Sequence, residues 1–116
     1  MRHPEQLEQE KVVRWLTLQY SKALFTASVQ EHGSIAKATR RKRMGYKAGT
    51  PDLSIMEPMG GKHGLYVEMK AVKGGVLSPE QKVFLEQLES RGYATLVCHG
   101  AQQAIEGITK YMEVKK

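Results

Sequence analysis

Asp52, Glu68 and Lys70, in the middle of this 116-residue chain, have the types and spacing that phosphodiester chemistry uses. Glu68-Met69-Lys70 falls in the run Leu65 to Val72, which has the length and β-branched content of a strand. Side chains alternate along a strand, so Tyr66, Glu68, Lys70 and Val72 share one face while Leu65, Val67, Met69 and Ala71 take the other. Glu68 and Lys70 therefore point the same way, roughly 6 to 7 Å apart. Asp52 opens a second short run, Asp52 to Met56, introduced by Gly49-Thr50-Pro51, where the proline breaks any helix. Glu57 to Gly64 is a turn by composition. A hairpin results, and its register can bring Asp52 beside Glu68.

That constellation suits a divalent cation. Magnesium takes hard oxygen donors in octahedral geometry and keeps several waters, so Asp52, Glu68 and the backbone carbonyl of Met69 would hold it and leave positions for phosphate and water. The ion neutralises phosphate charge and acidifies its water; Lys70 would position that water or stabilise charge on the phosphate. Each residue also has an ordinary explanation. An aspartate after proline is a common turn residue, and Glu-x-Lys on a strand is often a solvated face. The conjunction on one hairpin, with a wholly apolar opposite face, favours the site.

The chain is 41% apolar and 26% charged, which fits one domain spanning residues 1–116. Its one cysteine, Cys98, excludes an intrachain disulfide framework and a cysteine-built zinc site, and its apolar strand places it in the core. No run approaches eighteen apolar residues and Met1 opens no signal-peptide pattern, so no membrane partner and a cytoplasmic location are expected. A net charge of +6 suggests a polyanionic partner.

From the start, Pro4 opens a helix to about Ser21, with Glu5, Glu8 and Glu10 complementing its dipole and Val12, Trp15 and Leu16 as the buried stripe. Glu5, Glu8 and Val12 are nearly aligned, so one glutamate can reach over the sheet edge to the metal. Ala23 to Val29 is expected as a central strand, since it does not alternate, and Gln30 to Gly33 as a turn. Ser34 caps a helix through Ile35, Ala36 and Ala38 into Arg40-Arg41-Lys42-Arg43. With Lys37, Lys47 and Lys73, this segment would clamp phosphates, or else it is a solvated basic face.

After Lys73-Gly74-Gly75, Ser78, Pro79 and Gln81 form a capping box for a helix with Val83, Phe84, Leu85 and Leu88 as its stripe, ended by Gly92. Gln81 either caps that helix or faces the site. Tyr93 to Cys98 is a strand and Ala101 to Met112 a helix with Ala104, Ile105 and Ile108 inward; Glu113 to Lys116 should fray. The order helix, strand, helix, strand, strand, helix, strand, helix implies an α/β fold, a mixed sheet flanked by helices.

The runs Ala48 to Leu53, Gly64 to Lys70 and Leu77 to Gln81, with Gly92-Tyr93, resemble the virus-type replication-repair nuclease (VRR-NUC) domain of the PD-(D/E)xK superfamily. Glu5 to Gln9 with Val12, Val13 and Trp15 resembles that family's first helix, so the resemblance runs from about Pro4 to Tyr111. It implies a restriction-endonuclease-like fold and a magnesium- or manganese-dependent nuclease. By the same resemblance Asp52 and Glu68 are metal-binding acids, Lys70 the motif lysine and Gln81 a glutamine kept after the core motif. The first-helix ligand is Glu5 or Glu8, with Glu5 preferred for its place one turn before Gln9. Free-standing members resemble phage-encoded, dimeric enzymes of the Holliday-junction-resolving kind, which would place this chain in a bacterial host cell as a homodimer acting on branched DNA. A non-catalytic basic DNA-binding module and a general exonuclease are the alternatives.

Overall fold

Capping and alternation place the elements, and long-range pairing orders them. The computed structural model describes residues 4–28 and 35–114, so the expected turn over Gln30 to Gly33, the Ser34 cap and the last two residues of the expected frayed end lie outside the described residues. Helix α1 runs Pro4–Gln19, strand β1 Phe25–Ala27, α2 Ile35–Arg43, β2 Leu53–Ile55, β3 Leu65–Lys70, α3 Pro79–Ser90, β4 Ala94–His99 and α4 Ala101–Met112. The element order is the one the sequence implies.

The four strands form one mixed sheet in the order β1-β2-β3-β4. β1 and β2 pair antiparallel, as do β2 and β3, whereas β3 and β4, joined through α3, run parallel. Cross-strand partners share a face, so Leu53↔Val67, Ile55↔Leu65 and Met69↔Cys98 put six apolar side chains on one side. That side meets Val12 and Leu16 of α1 and Ala101, Ala104 and Ile108 of α4, and together they are the core. Helix α3 packs on β4, and its Leu85 and Leu88 are buried. Cys98 is 2% exposed, and burial pushes its thiol up to about 11, so it is a core residue.

Three expectations are corrected. β1 is an edge strand of three residues, not a central one, and its side chains are half-buried or exposed. Val83 lies outside the α3 stripe, 55% exposed, while Leu85 and Leu88 are buried and Phe84 is half-buried. Trp15 is only half-buried, edge-on to Tyr20 at 5.8 Å between ring centroids. α3 ends as expected: Gly92 adopts φ +89°, and Tyr93 N donates to Leu88 O at 3.1 Å to close the turn.

Candidate active site

The hairpin register meets the first requirement. Leu53 stands opposite Val67, so the next pair outward is Asp52 opposite Glu68. Asp52 Oδ2 accepts a hydrogen bond from Met69 N at 2.7 Å, extending the ladder by a side chain where the strand has ended. On its other flank, Asp52 O accepts from Ser28 N at 2.9 Å. Pro51 is fully buried and holds the approach to this corner.

Glu68 and Lys70 are nearly buried, at 3% and 9% exposed. Lys70 Nζ lies 3.6 Å from Glu68 Oε2 and donates to Gln81 Oε1 at 2.9 Å. Gln81 Nε2 donates to Glu68 Oε2 at 3.2 Å. The same Gln81 completes the cap of α3, accepting from Ser78 N at 2.8 Å while its own N donates to Ser78 Oγ at 3.1 Å. Both readings of Gln81 therefore hold at once. Its Oε1 serves the cap and the lysine together, and the capping box fixes where that amide sits.

Two carboxyls share the site with one ammonium, and both resist ionising. Burial raises the Asp52 carboxyl, with the Met69 N–H bond opposing. Burial and then the charge of Asp52 push Glu68 up to about 8, with Lys70 opposing. Glu68 Oε1 is buried with no hydrogen-bond partner. A buried carboxyl oxygen without a donor is costly unless the group carries a proton, which Glu68 shares with Asp52, or a cation completes it. Among the described residues no three acidic, histidine or cysteine side chains converge into a metal cage, and the carboxyls that stand together are Asp52 and Glu68. That suits magnesium, which binds through one or two carboxylates and keeps its waters. The Asp52–Glu68 pair with the Met69 carbonyl is thus a fitting donor set.

These groups line a groove of about 790 Å³ that α1 closes on one side with Glu5, Gln6, Gln9, Glu10, Val13 and Arg14. The charge of Glu5 acts on Asp52, raising its carboxyl further. Glu8 is elsewhere. Its Oε1 accepts from Ala101 N at 2.9 Å, and its Oε2 pairs with Lys11 Nζ at 2.7 Å. Those two bonds, Lys11 first, hold its carboxyl below the usual range. Gly100 is the N-cap of α4 and has no side chain to offer, so Glu8 supplies the cap from another helix. Glu8→Ala is expected to cost about 1 kcal/mol of stability by thermal or urea unfolding. An unchanged midpoint would refute the capping role.

Of the basic residues, Lys37, Arg40, Lys42, Arg43, Lys47 and Lys73 are exposed. Arg41 is half-buried, and its Nη1 has no hydrogen-bond partner. Among the described residues, α2 packs against no other helix or strand. Arg14 is the cation from outside β3 that lines the groove, and the sequence reading passed over it. The signal was present: Gln6, Gln9, Glu10 and Val13 form one stripe at spacings of three and four, and Arg14 borders it.

A mixed sheet with an Asp, Glu and Lys cluster at the mouth of a hairpin defines a nuclease-type α/β domain of restriction-endonuclease-like architecture. A model of the VRR-NUC domain matches residues 1–102, and the chain belongs to that family. It is similar to a solved structure described as a VRR_NUC domain protein, with 30% identity over 100% of this chain and 93% of that one and a TM-score of 0.86. No protein with a curated description matches it. A nuclease function follows from membership, with DNA as the substrate class. None of the described helices is long and apolar enough to cross a membrane.

Proposed function

We propose that this chain is a magnesium- or manganese-dependent endonuclease that hydrolyses phosphodiester bonds in branched DNA, four-way junctions above all, and that it works as a homodimer with one site per strand. The observation that carries the metal-dependent chemistry is the neighbouring pair of carboxyls, Asp52 and Glu68, with Glu68 Oε1 receiving no N–H or hydroxyl donor, at an open groove. Asp52, Glu68 and the Met69 carbonyl would hold the ion, with Glu5 approaching from α1. When bound, it supplies Lewis acidity toward the scissile phosphate. Lys70, held by Gln81, presents its ammonium to charge growing on the phosphate. Gln81 keeps Glu68 and Lys70 in one orientation by bonding both. The exposed cations of α2 would grip backbone phosphates without reading sequence.

The test is cleavage of a labelled immobile four-way junction against linear duplex and single strand, with magnesium, manganese or chelator. Paired symmetric nicks on the junction that require metal are expected. Degradation from ends would replace this reading with an exonuclease, and binding without cutting would replace it with a non-catalytic module. Replacing Arg40, Arg41 and Arg43 by glutamine is expected to weaken binding evenly across sequences and flatten its salt dependence by about one unit of slope per lost phosphate contact. An unchanged slope would make α2 a solvated face.

A further inference from the structure

A second groove lies on the far side of the α3 N-terminus. Its volume is about 760 Å³, within the range of ligand-holding pockets, and its walls are almost wholly apolar. Ala48, Pro79, Val83, Phe84 and Leu88 form it. Phe84 is the aromatic residue among them, and Val83 stands 55% exposed at its edge. Lys47 and Arg91 add two positive charges to this lining. Arg91 donates from Nη1 to Gln87 O at 3.0 Å, which holds its guanidinium along the last turn of α3.

Three consecutive residues separate this groove from the catalytic one. Pro79 and Glu80 line the apolar groove, while Gln81 reaches Lys70 and Glu68. The opposite wall is fixed as well. Gly49 adopts φ +88°, and a Cβ there would come within 2.5 Å of the Glu80 backbone, so glycine lets the Lys47–Ala48 segment close on α3. That segment leads back to the basic residues of α2.

We propose that this groove holds one unpaired nucleobase of the DNA substrate, stacked on Phe84, with flanking phosphates on Lys47 and Arg91. The proposal rests on the nuclease reading and adds that a nucleotide beside the cut is unpaired, or extruded from the branch point, when bound. An aromatic surface flanked by cations is the usual chemistry for single-stranded nucleic acid, where bases stack and phosphates meet positive charge. Glu80 offers a carboxylate acceptor to an exocyclic amine of the base. The lining is net positive and continues in chain into the Arg40–Arg43 run, which favours a polyanion over a second copy of this basic chain. A base inside a duplex stack cannot enter a groove in a helix face, so the ligand is an extruded or single-stranded nucleotide.

The experiment uses the full chain in chelator, so that it does not depend on cleavage. A single-stranded oligonucleotide carrying 5-iododeoxyuridine is photo-crosslinked and the tryptic peptides are read by mass spectrometry. The peptide Val83–Arg91 contains Phe84 as its one aromatic residue. Crosslinks on that peptide are expected, and Val83→Glu, at an exposed position that tolerates it, is expected to weaken single-strand binding on the order of tenfold with little change for duplex. Crosslinks confined to other peptides, or unchanged single-strand affinity in Val83→Glu, would overturn the proposal. So would a Val83→Glu variant that turns a dimer into a monomer by light scattering with no crosslink at Phe84, since the groove would then join two copies. A protein that cuts junctions but fails these tests loses only the base-binding groove; one that neither binds nor cuts nucleic acid, with metal or in chelator, loses the proposed function too.

Discussion

Asp52→Asn is expected to lower cleavage by about a thousandfold or more while DNA affinity stays within a few-fold. Asparagine is the informative replacement. Its side-chain carbonyl can still accept from Met69 N, the bond Asp52 makes at 2.7 Å, so the corner of the hairpin survives while the charge is lost. Alanine would remove both and leave the Met69 N–H without its partner. Asp52 and Glu68 stand side by side, so above about pH 8, where both are ionised, neutralising either should also relieve repulsion. The metal-free variant should then melt no lower than the parent, which separates lost chemistry from lost fold. Glu68→Gln is expected to behave the same way. Normal cutting by either purified variant would move the active site elsewhere.

The second large effect is on stability against pH. Glu68 is raised toward about 8 in the folded protein, whereas in the unfolded chain it titrates in the ordinary carboxylate range. Folded protein therefore keeps a proton that unfolded protein releases. Stability from this group is present in full below the ordinary range and is lost as pH rises through the interval up to about 8. The raised Asp52 carboxyl adds to the same slope at its lower end. In chelator the melting temperature should fall between about pH 5 and about pH 8, by the equivalent of a few kcal/mol at most. Magnesium should restore it at the upper end by binding the folded form alone. Glu68→Gln should flatten the curve. Parallel curves for parent and variant would show that Glu68 does not carry the slope.

Local signals in the sequence found what depends on near neighbours. Alternation placed Glu68 and Lys70 together and Met69 opposite; proline and glycine punctuated the hairpin; Ser78, Pro79 and Gln81 marked the start of α3. What stayed hidden depends on partners far along the chain. Glu8 resembles Glu5 in every local respect, and only its bond to Ala101, 93 positions away, removes it from the groove. Ser28 meets Asp52 through the register of β1, and no pattern within a three-residue strand announces which neighbour it will find. That absence also explains the misplaced β1: a short unalternating run reads equally well as a central strand or as an edge with one half-buried phenylalanine. The double duty of Gln81 was half visible, because a capping box predicts where its amide goes but not that Lys70 waits there.

The backbone bond from Ser28 N to Asp52 O closes a loop at its base. Of the described residues between them, Lys47 to Gly49 close on α3, whereas α2 leans on no other described element. Loop-closure entropy grows slowly with length, so α2 can lengthen, shorten or exchange its cations at small cost to the sheet, while the Gly49 segment cannot. Helix α2 is a replaceable cassette set beside a fixed catalytic hairpin. A lineage built on this plan can change which nucleic acids it grips while the residues at its base stay as they are.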